Sequence, residues 1–120
     1  MLSLAEQEIF DRYKHPRFAG EISAADILAS GSNQSCGDEV SFTVRLEGET
    51  ITKICHKTVG CAICTASADM LAEHLEGKPR SDILQINSDQ VTEWIGIPLS
   101  PVRLKCALLP LEALKQAVQA

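Results

Sequence analysis

From Val40 to Leu46 the apolar residues Val40, Phe42, Val44 and Leu46 alternate with Ser41, Thr43 and Arg45. A period of two is that of a half-buried strand. Glu47-Gly48-Glu49 then supplies a turn, and Ile51 to Val59, with Thr52, Ile54, Thr58 and Val59, reads as a second strand closing a hairpin on the first. A shorter strand is expected before them, around Ile27 to Ser30.

Elsewhere the apolar spacing is helical. Ser3 and Glu6 form a capping box, and Leu4, Ile9, Phe10 and Tyr13 make a stripe that predicts a helix over residues 3–14, ended by Pro16. After Gly60 the residues Ala62, Ala66, Met70, Leu71 and Leu75 recur at three to four, and Gly77 stands where a helix C-terminus belongs. Shorter helices are expected over Ser81 to Ile86 and Ser88 to Ile95, and a last one from Pro101 to about Val118. Pro110 predicts a break or kink in it near Leu109, because proline lacks the N–H that continues a helix. The order of elements predicts an α+β fold in which a small antiparallel sheet of about three strands carries helices on one face. No repeat or linker divides the sequence, so residues 1–120 are expected to form a single domain.

Composition narrows the classes of function. The 120 residues are 45% hydrophobic and 22% charged, ordinary for a globular chain. A net charge of −5 with scattered Lys and Arg argues against nucleic acid or an anionic membrane as partner. No stretch approaches the roughly 18 apolar residues of a membrane span, and the start lacks the basic and apolar segments of a secretion signal. A cytoplasmic location is therefore expected. There thiols stay reduced, and five cysteines, an odd number, point to metal ligands, nucleophiles or core residues rather than disulfides.

The segment SCGDEV places Cys36 and Asp38 two residues apart with Gly37 between them. In extended backbone such side chains leave one face, and a glycine lets the chain bend so that both heads converge. Cys61 falls at the junction of the second strand and the central helix, and Cys106 near the start of the last helix. All three cysteines thus lie at element ends, where one pole of the domain can collect them. A helix N-terminus favours negative charge at Cys61, and Lys105 adds positive potential beside Cys106. Three thiolates completed by Asp38 would suit tetrahedral zinc, or three corners of an iron–sulfur cluster with one exchangeable oxygen ligand.

The remaining candidates invite plainer roles. Cys61 and Cys64 have the spacing of a redox or zinc dithiol, but no second CxxC and no thioredoxin-type βαβ pattern accompanies them. Cys64 is expected to fill a small-residue slot on the central helix, with a relay or an alternative ligand left open. Cys55 is expected within a strand, and His56 and His74 at the surface rather than as ligands. Arg17 and Arg103 either shape the potential at the pole or are simply solvated.

Four blocks in order resemble the IscU, SufU and NifU N-terminal family of iron–sulfur cluster scaffolds. SNQSCGDEV resembles its N-P-x-C-G-D segment, TVGCAICTASADMLAEHLEGK its G-C…A-S…G-K helix, LSPVRLKCALLPLEALKQAV its P-V-x-x-x-C helix, and DRYKHPRFAG its H-Y-x-N-P-R-x-x-G opening. The resemblance implies that Cys36, Cys61 and Cys106 are the metal or cluster ligands and candidate persulfide acceptors. Asp38 would be the carboxylate that completes zinc binding and keeps a cluster labile. Gly37, Arg103 and Lys105 support them. It further implies a transient [2Fe-2S] cluster, zinc or iron at the site, a cysteine desulfurase as sulfur donor and apo iron–sulfur proteins as acceptors, by a scaffold or carrier rather than an enzyme.

Departures bear on subtype. Gln34 replaces a proline, His15 an asparagine, and the tyrosine that some IscU proteins carry near the N-terminus is absent. Lys105, where IscU has histidine, resembles SufU with Arg103, and so implies the alternative of a zinc-dependent sulfurtransferase that stimulates a desulfurase without building a cluster. The insertion that SufU proteins carry between the second and third cysteines is missing, which favours the scaffold. LSPVR differs at Ser100 and Arg103 from the L-P-P-V-K segment through which IscU engages its chaperone, so the resemblance leaves a chaperone open.

Overall fold

A computed structural model describes residues 2–34 and 36–119. The first helix, α1 (Leu4–Lys14), begins with the expected capping box: Ser3 Oγ accepts the Glu6 N–H at 3.1 Å, and Glu6 Oε1 accepts the Ser3 N–H at 3.0 Å. Three strands follow, β1 (Ile27–Asn33), β2 (Asp38–Glu47) and β3 (Thr50–Val59), forming an antiparallel sheet in the order β1-β2-β3. Four helices complete the fold: α2 (Ala62–Leu75), α3 (Asp82–Gln85), α4 (Ser88–Ile95) and α5 (Pro101–Gln119). The architecture is α+β, as the pattern of the sequence predicts.

Register explains where the core lies. Phe42 pairs with Ala29 on one side and His56 on the other, and Val44 with Ile27 and Ile54, so these side chains share one face of the sheet. Helices α2 and α5 cover that face, and Phe42, Ile54, Leu71, Leu75 and Leu114 are all at most 1% exposed. No helix among the described residues is long and apolar enough to cross a membrane.

Three expectations need correction. β1 runs on to Asn33 rather than ending at Ser30, because Gly31, Ser32 and Asn33 pair with Val40, Glu39 and Asp38, and the backbone ladder forms whatever the side chains are. α5 continues through Pro110 without a break. A proline removes the hydrogen bond to the carbonyl four residues before it, here that of Cys106; at the next carbonyl, Ala107, Ser67 Oγ donates from α2 at 2.6 Å and ties the two helices together beside the proline. His56 is not at the surface: in phase with Ile54 on β3 it is 1% exposed, with Nε2 3.0 Å from Asp69 Oδ1 and Nδ1 2.9 Å from Thr58 Oγ1. Half-buried His74 lies against Trp94, ring centroids 4.8 Å apart.

Asp69, a charged residue inside the apolar stripe of α2, is 0% exposed. It also accepts from Arg12 Nη1 at 2.8 Å and from the backbone N–H groups of Phe18 and Arg17 at 2.8 and 3.2 Å. Burial opposes its ionisation, but the hydrogen bonds from His56, Phe18, Arg17 and Arg12 outweigh it and hold the carboxyl down at about 2. This one carboxylate ties α1, the segment after it and β3 to the central helix.

Candidate metal centre

The chain reverses between β1 and β2 in a short loop that contains Cys36. Its N–H donates to the Asn33 carbonyl at 3.2 Å, and Gly37 adopts φ +72°, a left-handed conformation that glycine accepts without strain. Asp38 is the first residue of β2, opposite Asn33. The bend delivers an exposed thiol and a carboxylate that is 1% exposed to the same place. Cys106, in the second turn of α5 and 2% exposed, approaches from the other side. Ligand atoms of Cys36, Asp38 and Cys106 all lie within 4.8 Å of one another.

Cys61 stands just outside that trio. It is the N-cap of α2, and its Sγ accepts the Cys64 N–H at 3.4 Å. Its own N–H donates to Asp38 Oδ1 at 3.0 Å, so the strand end and the helix end are joined through the carboxylate. Burial pushes the Cys106 thiol up, and the neighbouring Asp38, Cys61 and Cys36 add to the effect. Cys64 is fully buried, as expected of a small-residue slot; burial pushes its thiol up to about 12, helped by the charges of Asp38 and Cys61. Cys55 sits within β3, half-buried.

A donor-poor carboxylate is the clearest chemical signal here. Asp38 Oδ2 is buried with no hydrogen-bond partner among the described residues. Such an oxygen carries a desolvation penalty that a cation would remove. Sulfur from two cysteines beside one carboxylate oxygen is a donor set for zinc or iron rather than for calcium or magnesium. The residues therefore fit a thiophilic metal.

Gly60 was visible in the sequence only as an element boundary, yet it shapes the centre. Its φ is +153°, and a Cβ there would stand 3.0 Å from the Asp38 Cα and closer still to its carboxylate. Only a strand end and a helix start meeting at this point reveal that need. Arg103 and Lys105 are exposed on the first turns of α5, and among the described residues neither side chain hydrogen-bonds to the cysteines. Arg17, about half exposed, pairs instead with Glu73 at 3.4 Å and Asp11 at 3.5 Å.

This fold, with this constellation at its pole, is that of a known class. The family model described as the NifU-like N terminal domain matches residues 4–120, and the chain belongs to that family. It is 32% identical over 111 residues to the iron-sulfur cluster assembly scaffold protein IscU 1 of Archaeoglobus fulgidus, with 92% of this chain and 72% of that protein covered. It is 30% identical to the zinc-dependent sulfurtransferase SufU of Bacillus subtilis, with 97% and 90% covered. In the bifunctional protein NifU/MnmA of Rubrobacter xylanophilus, 33% identical, it spans 23% of the length. The crystal structure of FiSufU from Fervidobacterium islandicum AW-1 superposes with a TM-score of 0.80 at 28% identity, covering 93% of this chain and 94% of that one.

Proposed function

We propose that this protein is a scaffold on which a [2Fe-2S] cluster is built and from which it is handed to apo-proteins, in the cytoplasm. Sulfur arrives as persulfide from a cysteine desulfurase that docks at the pole, where exposed Val59 and Val102 offer apolar contact. The observation that carries this is Asp38, whose Oδ2 is buried without a partner among the described residues and whose carboxylate has an oxygen within 4.8 Å of ligand atoms of Cys36 and Cys106. Cys36, on its exposed turn, is the thiol open to a partner. Cys106, held on a helix, is the fixed one. Cys61 completes the set by turning its thiol away from its own helix end. Asp38 contributes an oxygen, a weaker ligand for iron than thiolate, so the cargo can leave.

A second reading rests on the coverage of the Bacillus SufU and on Lys105. In it the same four residues hold zinc, and one thiol exchanges off the metal to take sulfur from the desulfurase without a cluster being assembled. Anaerobic incubation with iron, cysteine and a cysteine desulfurase separates the two. Sulfide-to-iron charge-transfer bands that vanish when Cys36, Cys61 or Cys106 is changed to Ser are expected of the scaffold. Retained zinc, no bands and faster desulfurase turnover would instead establish the sulfur carrier.

A further inference from the structure

Cys64 is a thiol that the proposed ligand set leaves out. It belongs to a pair: Cys61 caps α2, Cys64 lies in its first turn, and the backbone N–H of Cys64 points at Cys61 Sγ, 3.4 Å away. Neither cysteine is in a disulfide. Cys61 is partly exposed while Cys64 is 0% exposed, so the inner sulfur is screened from solvent. Two thiols spaced this way across a helix N-terminus, the outer accessible and the inner buried, form the arrangement of dithiol–disulfide couples. A second feature marks the spot as chemically open. Asp38 receives the Cys61 N–H on Oδ1 and keeps Oδ2 buried without a partner.

We propose that Cys64 is a resolving thiol for Cys61: a sulfane sulfur carried on Cys61 is released as hydrosulfide when the Cys64 sulfur attacks Cys61 Sγ and closes a Cys61–Cys64 disulfide. The S–S bond of the persulfide breaks and the bond between the two cysteine sulfurs forms. The proton of the Cys64 thiol leaves on the outgoing sulfur. The sulfane sulfur gains two electrons and becomes sulfide, and the two cysteine sulfurs supply them as they are oxidised. A dithiol reductant then returns the pair to thiols by exchange, which also frees Cys61 to act as a ligand.

The inference deepens the proposed function and rests on its claim that the chain accepts persulfide sulfur. It adds a local source of the electrons that turn sulfane sulfur into the sulfide a cluster contains. Release occurs beside the trio of Cys36, Asp38 and Cys106, none of which is consumed.

The test uses the full chain, stripped of metal, under anaerobic conditions and without reductant. One arm is given inorganic polysulfide, the other a cysteine desulfurase already carrying its persulfide and freed of cysteine, because free cysteine would itself reduce a disulfide. Sulfide is counted, and the peptide holding both residues is mapped after alkylation. The wild type is expected to release about one sulfide per chain and to show the Cys61–Cys64 disulfide in both arms. Cys64→Ala and Cys64→Ser are expected to retain an alkylatable persulfide on Cys61 and to release about tenfold less sulfide. A stable persulfide on Cys61 of the wild type, or equal release from wild type and both variants, overturns the proposal. A disulfide formed with polysulfide but not with the desulfurase upholds the chemistry of the pair and overturns the desulfurase as the sulfur donor.

Discussion

Among the described residues two carboxylates are buried on the helix-covered side of this molecule, and their surroundings are opposites. Asp69, 0% exposed, accepts from an arginine, two backbone N–H groups and a histidine. Asp38, 1% exposed, accepts one backbone N–H, has an oxygen with no partner among the described residues, and faces thiols. The saturated carboxylate is a fastener whose value is spent on the fold. The unsaturated one leaves the fold with an unmet electrostatic demand that a cation would answer. Burial alone distinguishes nothing here; the count of donors does.

The contrast breaks first at Asp69. Replacing it by Ala strands Arg12 in a site where it is 4% exposed, and removing one partner of a buried pair costs about 3–5 kcal/mol. Urea unfolding should show that loss, whereas Asp38→Ala should cost well under half as much. A small loss at Asp69 would mean that Glu8 and Glu73, 3.3 and 3.1 Å from Arg12, compensate.

Metal should separate the two positions in the opposite sense. Zinc or ferrous iron at 100 times its dissociation constant should raise the stability of the wild type by about 2.7 kcal/mol. In Asp38→Asn that rise should shrink, while the conservative Asp69→Glu should keep it even if its baseline stability is lower. Thermal scans with and without metal read both.

Gly60→Ala sharpens the comparison without touching a ligand. The added methyl enters the space of Asp38 at a backbone angle that disfavours it, and should cost about 1–3 kcal/mol. In an Asp38→Ala background the steric part should be recovered, so the double mutant should be more stable than the sum of the single losses predicts.

A pH dependence completes the comparison. The Asp69 carboxyl is held at about 2, below its ordinary value of 3.8, so its contribution is present in full above about pH 5 and is lost as the pH falls toward about 2. In Asp69→Asn that part of the acid dependence should vanish. An unchanged acid limb of the stability profile would show that the hydrogen bonds around Asp69 do not favour its charged form.

Much of this was legible because local pattern and tertiary role agree. The alternation from Val40 to Leu46 is the buried side of β2, and the Ser3 and Asn87 caps start α1 and α4 within a residue of where the sequence puts them. Cys36, Cys61 and Cys106 could be placed at element ends, though that Cys61 turns its sulfur toward Cys64 needed coordinates. What stayed hidden depends on partners far away in sequence. The polar end of β1 is a strand only because β2 pairs with it, and Pro110 sits inside a helix that Ser67 of α2 holds at the Ala107 carbonyl. Asp69 reads as a stray charge until Arg12, Phe18 and His56 surround it.

The loop carrying Cys36, the cap of α2 and the second turn of α5 are brought together only when the whole topology has closed. α5 packs on β1, the first strand of the sheet, so a helix made after the sheet completes a contact whose other half is synthesised well before it. Contacts of such long sequence separation form late, after their loop-closure entropy has been met. A nascent chain that lacks α5 consequently offers separate thiols, and the candidate centre is complete only once the helix that bears Cys106 has been made.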